Sequence, residues 1–145
     1  MHILMCNDDG ILADGLRRLA SYLSHYYRIT VVAPANEQSA KSHALTTEIP
    51  LKLDAYNGED ENPRLYALTG TPSDCMKFGL SYLLTDDMPD LVISGINHGF
   101  NLGSDVLYSG TVSAAMESCF YGIPGLALSV ERYSPERGDE MHPFI

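Results

Sequence analysis

The first 34 residues run apolar, amphipathic, apolar, and few folds accept that order. His2-Ile-Leu-Met-Cys6 is short and uninterrupted by charge, which predicts a strand buried on both faces. Leu16, Leu19, Ala20 and Leu23 recur at helical spacing and predict a helix from Gly15 to about Ser24, with Asp14 as its cap. Arg28 to Ala33 is again rich in β-formers and is closed by Pro34. Strand, helix and strand joined by short connections make a β-α-β unit, whose strands are parallel and whose crossover is right-handed.

The remainder extends the same theme. Glu48 to Asp54 alternates, with Ile49, Leu51 and Leu53 on one face, and predicts an edge strand whose pairing Pro50 limits. Tyr56 to Arg64, rich in Asn, Gly, Asp, Glu and Pro, reads as a mobile loop before a short strand, Leu65 to Leu68. Thr71, Pro72 and Asp74 have the spacing of a capping box and start a helix to about Leu84. An acidic turn, Asp86 to Asp90, leads to a buried strand at Leu91-Val92-Ile93. A helix from Thr111 to Tyr121 stops at Gly122, and Gly125 to Val130 is a last strand. Glu131 to Ile145 has charges, two prolines and no periodicity, and reads as the start of a segment that is cut off. With 145 residues and 45% hydrophobic content, one domain over 1–145 is expected.

Charge narrows the partners. A net charge of −10 repels a nucleic-acid polymer or an anionic membrane, and no apolar run reaches the roughly 20 residues that span a bilayer. Cys6, Cys75 and Cys119 are odd in number and widely spaced within predicted elements, as packed, reduced thiols of a cytoplasmic protein would be. A small anionic substrate would then need local help, such as a metal ion.

Two stretches offer that help. Asn7-Asp8-Asp9-Gly10 follows the first strand directly, at the edge where open parallel sheets bind ligands. Adjacent ionised carboxylates repel each other, and a hard divalent cation relieves that repulsion. The loop after the second strand leaves the same edge and carries Ser39, Lys41 and His43: a hydroxyl for the metal, and groups that neutralise phosphate or shuttle a proton. The second stretch, Ser94 to Ala115, combines four glycines with Asn97, Asn101, Ser104, Asp105, Ser109 and Thr111. Its Ser109-Gly110-Thr111 step sits at the start of a helix, where free amides favour an anion. Capping alone would account for Ser109 or Thr111, but not for the glycines and asparagines upstream. The Gly70-Thr71-Pro72 turn, sufficient as a cap, lies where a base or ribose could touch it.

Taken together, Asn7-Asp8-Asp9-Gly10, Ala33-Pro34 with Gln38-Ser39, Gly70 to Cys75, Ser94 to Gly103 and Tyr108 to Val112 resemble the SurE family across residues 1 to 130. The resemblance implies a Rossmann-like, three-layer α/β/α fold with a mostly parallel sheet, lacking here the C-terminal part of the family fold. It implies a divalent-metal-dependent phosphatase acting on nucleoside 5′- and 3′-monophosphates, with some action on short polyphosphate. One Mg²⁺ or Mn²⁺ would be held by Asp8, Asp9, Ser39 and Asn97, and phosphate by Asn101, Ser109, Gly110 and Thr111. A homodimer or homotetramer is implied for the full-length protein. The expected reaction is attack on phosphorus by a water that the metal activates, with Asp8 or Asp9 as direct nucleophile in a variant. His43 and His98 are the candidates for protonating the leaving group. The competing reading is a non-catalytic nucleotide-binding module. A dinucleotide oxidoreductase fits less well, because the first turn lacks G-x-G-x-x-G.

Overall fold

The computed structural model describes residues 1–58 and 60–131. The segment expected to begin a truncated part, from residue 132 onward, lies outside the described residues. Six strands form one sheet in the order β3-β4-β2-β1-β5-β6, where β1 is His2–Cys6, β2 Arg28–Pro34, β3 Leu53–Ala55, β4 Arg64–Leu68, β5 Leu91–His98 and β6 Gly125–Val130. All neighbours are parallel except β3 and β4. Helix α1 (Asp14–Leu23) covers one face; α2 (Pro72–Phe78) and α3 (Gly110–Cys119) cover the other. The α/β, mostly parallel, three-layer expectation holds.

Alternation along the strands sorts the core into two clusters. Leu4, Cys6, Val32, Leu68 and Val92 meet Cys75, Met76 and Leu80 under α2 and α3. Ile3, Met5, Ile29, Val31 and Ile93 meet Leu16 and Ala20 of α1. Strands covered on both sides have to be apolar throughout, which is why β1 and β2 read as unbroken runs.

The chain goes from β1 out to β2 and β4, then returns to add β5 on the other side of β1. The order therefore reverses between β1 and β5, and the loops leaving their C-terminal ends open a crevice there. Asn7 shapes the first of these loops. Its side-chain Nδ2 donates to the Gly10 carbonyl and its Oδ1 accepts from the Gly10 amide, both at 3.1 Å, while Gly10 takes φ +101°. A side chain at Gly10 would meet the backbone of the loop after β2.

Several local expectations are corrected. Ala13, in extended conformation, is the residue before α1, and Asp14 is the first helical residue, its charge favourable in the first turn. The Ala13 amide donates back to Gly10, so the tight turn delivers the chain one residue earlier than a side-chain cap would. Of the alternating run Glu48 to Asp54, only Leu53 and Asp54 join the sheet, and Ile49 is exposed. The α2 path extends through one π turn at Gly79–Leu83. Tyr56 to Arg64, expected to be mobile, is anchored: Asn62 Nδ2 donates to the Ser24 and Tyr27 carbonyls, its Oδ1 accepts from Ile29 N, and Asn57 ties Pro63 to Leu65. Cys6 and Cys75 are buried as expected, whereas Cys119 is exposed.

At the opposite edge of the sheet His2 is buried, with its ring between Thr30 Oγ1 at 3.0 Å and the Asp87 carbonyl at 3.1 Å. Burial first, then the Arg28 guanidinium, lowers its pKa, although Asp87 opposes the shift. The unfolded chain thus takes up this proton before the folded one does, so stability falls as pH drops below the unfolded value of about 6.5. Urea midpoints at pH 7.5 and 5 are expected to separate more in the wild type than in His2→Gln; equal separations would assign the acid sensitivity elsewhere.

Candidate active site

Asp8 is the pivot of the crevice. It is buried beyond the end of β1, and its Oδ1 accepts a 2.7 Å hydrogen bond from Thr111 Oγ1 in the first turn of α3. Gly110, just before Thr111, lies flat against it. A Cβ there would stand 2.9 Å from Asp8 Cβ and 3.1 Å from Pro72 Cγ. Gly110→Ala is therefore expected to lower the unfolding free energy by about 1–3 kcal/mol through overpacking. A loss below about 0.5 kcal/mol, the range of neutral surface changes, would mean that the helix start has room to retreat.

The loop after β2 closes over the same point. The Gln38 amide donates to the Asp8 carbonyl at 2.7 Å, which ties the loop to Asp8 one residue before Ser39. Ser39 itself is exposed, and its hydroxyl donates to Glu37 Oε1 at 2.7 Å.

Asn97 was expected in a loop, yet it lies in β5, which runs on to His98. The pairing with β6 explains this. Ser94 faces Ala127 and Asn97 faces Ser129, so three steps on β5 match two on β6, a bulge with one extra residue. Gly95 makes the bulge possible with φ +132°, and the Gly95–Ile96 peptide is cis. Asn97 Nδ2 donates to the Gly99 carbonyl at 2.7 Å.

The phosphate candidates divide. Ser109 caps α3, its Oγ accepting from Val112 N at 3.1 Å, as the simpler reading had it. The amides of Gly110 and Thr111, as the first of the helix, have no intrahelical acceptor, the situation that favours an anion at a helix start. The Thr111 hydroxyl is committed to Asp8. Asn101 stands apart: its Nδ2 donates to Ser129 Oγ of β6 at 2.8 Å, and no hydrogen bond among the described residues joins it to the helix start.

Whether these groups suit a divalent ion follows from the hydrogens. The Ser39 O–H is taken by Glu37, the Asn97 N–H by Gly99, and one Asp8 oxygen by Thr111. Each keeps a free oxygen lone pair, so the set is one of hard oxygen donors, suited to Mg²⁺ or Mn²⁺. Among the described residues no three His, Cys, Asp or Glu side chains converge, so neutral oxygens have to complete any such site.

A family model described as "Survival protein SurE" matches residues 3–144. The chain belongs to the SurE family. It is 54% identical over 129 residues to the 5′-nucleotidase SurE of Thermoanaerobacter sp. (strain X514), covering 89% of this chain and 50% of that protein. The 5′-nucleotidase SurE of Caldanaerobacter subterraneus subsp. tengcongensis is 49% identical over 144 residues, 99% of this chain and 56% of that one. The crystal structure of the SurE protein from Aquifex aeolicus matches with a TM-score of 0.81 and 41% identity, over 99% of this chain and 54% of that chain. The chain thus spans about half the length of the relatives it matches.

Within this SurE-family fold, sequence reasoning overlooked Glu117. It is a buried carboxylate on α3, and it accepts from His43 Nε2 at 2.6 Å. An acid at position 117, on the helix face that also buries Ser113 and Ala114, was the available signal. The pairing also relocates His43. Glu117 is seven residues beyond Gly110, about 10 Å along the helix at 1.5 Å per residue, so His43 is tied to the later turns of α3. His98, the other candidate, ends β5 opposite Val130 and is exposed. Among the described residues no helix is long and apolar enough to cross a membrane.

Proposed function

We propose that this chain carries the metal and phosphate sites of a phosphomonoesterase that hydrolyses nucleoside 5′-monophosphates, and 3′-monophosphates and short polyphosphate by the same chemistry. The observation that supports the proposal is the buried Asp8 carboxylate, held by Thr111 at the start of α3, with the loop that carries Ser39 tied to its backbone. The names of the relatives, each called 5′-nucleotidase SurE, support the substrate class. In this reading Asp8, Asp9, Ser39 and Asn97 hold one Mg²⁺ or Mn²⁺. Bound there, the ion would acidify water and withdraw charge from a phosphoryl oxygen.

The chain's own residues do the rest. Thr111 holds Asp8 in one rotamer, so the carboxylate meets its ligand without reorganising. The Gly110 and Thr111 amides and the Ser109 hydroxyl face charge that builds on the equatorial oxygens during displacement. Asn101 exchanges its Ser129 contact for phosphate. A nucleotide brought in by one cation and one helix terminus needs no basic groove, which reconciles an anionic substrate with a chain of net charge −10. Assembly as a homodimer or homotetramer, and residence in the cytoplasm, belong to the same proposal.

The test is phosphate release from a panel of nucleoside monophosphates, with Mn²⁺ and with a chelator, by this chain and by one of the relatives' length. Chelator-sensitive release is expected. Tight metal-dependent nucleotide binding without release by either chain would establish a binding module instead.

A further inference from the structure

The loop after β2 is held by contacts from three other parts of the chain: the turn after β1, the segment before α3 and the start of α2. Besides Gln38 N on the Asp8 carbonyl, Ser42 N and Oγ donate to the Tyr108 and Leu107 carbonyls, Thr71 Oγ1 donates to the Ala44 carbonyl, and Thr46 N donates to Asp74. Within it Ala40 and Ser42 take φ +58° and +54°. Left-handed backbone at a residue with a Cβ costs about 1–2 kcal/mol, so such a conformation persists only where its surroundings hold it. Both residues lie within three positions of Ser39.

Most of these ties involve backbone atoms or exposed hydroxyls. The His43 and Glu117 pair is different in kind. It is a 2.6 Å contact to a carboxylate that is 6% exposed, from a ring that is 32% exposed and packed near Phe120. Glu117 belongs to the helix whose first turn carries Thr111 and, through it, Asp8. The pair therefore connects the loop bearing Ser39 to the helix bearing the Asp8 contact. Lys77, on the neighbouring helix α2, is the other charged group lining this cleft.

Resting on the metal site proposed above, we infer that His43 is a positioning residue. Through Glu117 it holds the strained loop, and hence Ser39, in register with Asp8. It touches neither phosphate nor the reacting atoms. Removing it leaves the Glu117 carboxylate without this partner and lets the loop leave its strained conformation.

Two readouts test this, using His43→Ala, Ser39→Ala, the double variant and His43→Gln, whose amide N–H can still reach Glu117. First, without metal, hydrogen exchange at the Gln38 and Ser42 amides is expected to quicken in His43→Ala and to stay slow in His43→Gln. Second, Mn²⁺ affinity measured by electron paramagnetic resonance is expected to fall about tenfold in His43→Ala, as for a residue that supports a ligand. Because His43 acts through Ser39, the double variant is expected to bind Mn²⁺ about as weakly as the weaker single variant. Unchanged exchange in His43→Ala, or losses that multiply in the double variant, would overturn the inference while leaving the metal site standing. A wild-type chain that takes up no Mn²⁺ would instead bring down the metal site, and the inference with it.

Discussion

Asp8→Asn is expected to cut metal-dependent phosphate release by more than about a hundredfold while leaving the circular dichroism spectrum native. Asparagine is nearly isosteric, and its Oδ1 still accepts the Thr111 hydrogen bond that Asp8 accepts at 2.7 Å. What it removes is the negative charge. Residues that merely support a metal ligand cost 10–100-fold when lost, so a charged ligand should cost more. Residual activity within about tenfold of wild type, in a natively folded variant, would place the metal elsewhere.

The largest effect on stability is expected at Gly95. Its φ of +132° is open to glycine alone, and a Cβ built there would run into the Leu128 carbonyl of β6. Neither atom belongs to a flexible side chain, so relief requires the two strands to part. Strain of about 1–3 kcal/mol and overpacking of a similar size put the loss for Gly95→Ala near 3–5 kcal/mol. Domains of this kind are stable by only about 5–15 kcal/mol, so the variant should unfold at much lower urea. A midpoint within the error of wild type would mean that β6 can shift without cost. Because the bulge at Gly95 also aims Asn97, a folded survivor should bind Mn²⁺ poorly as well.

The parts of the fold that follow from local chemistry were legible in the sequence. Unbroken apolar runs gave β1 and β2, the Thr71, Pro72 and Asp74 box gave the start of α2, and Asp8 fell at the sheet edge because it follows a buried strand. What escaped depends on pairing with distant chain. The five-residue extension of β5 past Ile93 includes a glycine and an asparagine, which disfavour strands, and exists because β6 accepts a bulge there. The hydrogen bond from Asn101 to Ser129 of β6 spans 28 positions, and nothing local to Asn101 announces it. Glu117 looked like an ordinary helix acid, since its partner lies 74 positions upstream. Ile49 matched a strand face that β4 is too short to cover.

The proposed chemistry turns on one ion at Asp8. Counting bound Mn²⁺ by electron paramagnetic resonance, in the wild type and in Asp8→Asn at matched concentrations, tests it most directly. One Mn²⁺ per wild-type chain, lost in Asp8→Asn and displaced by excess Mg²⁺, is the expected result. Equal Mn²⁺ uptake by both proteins, or none by either, would contradict it.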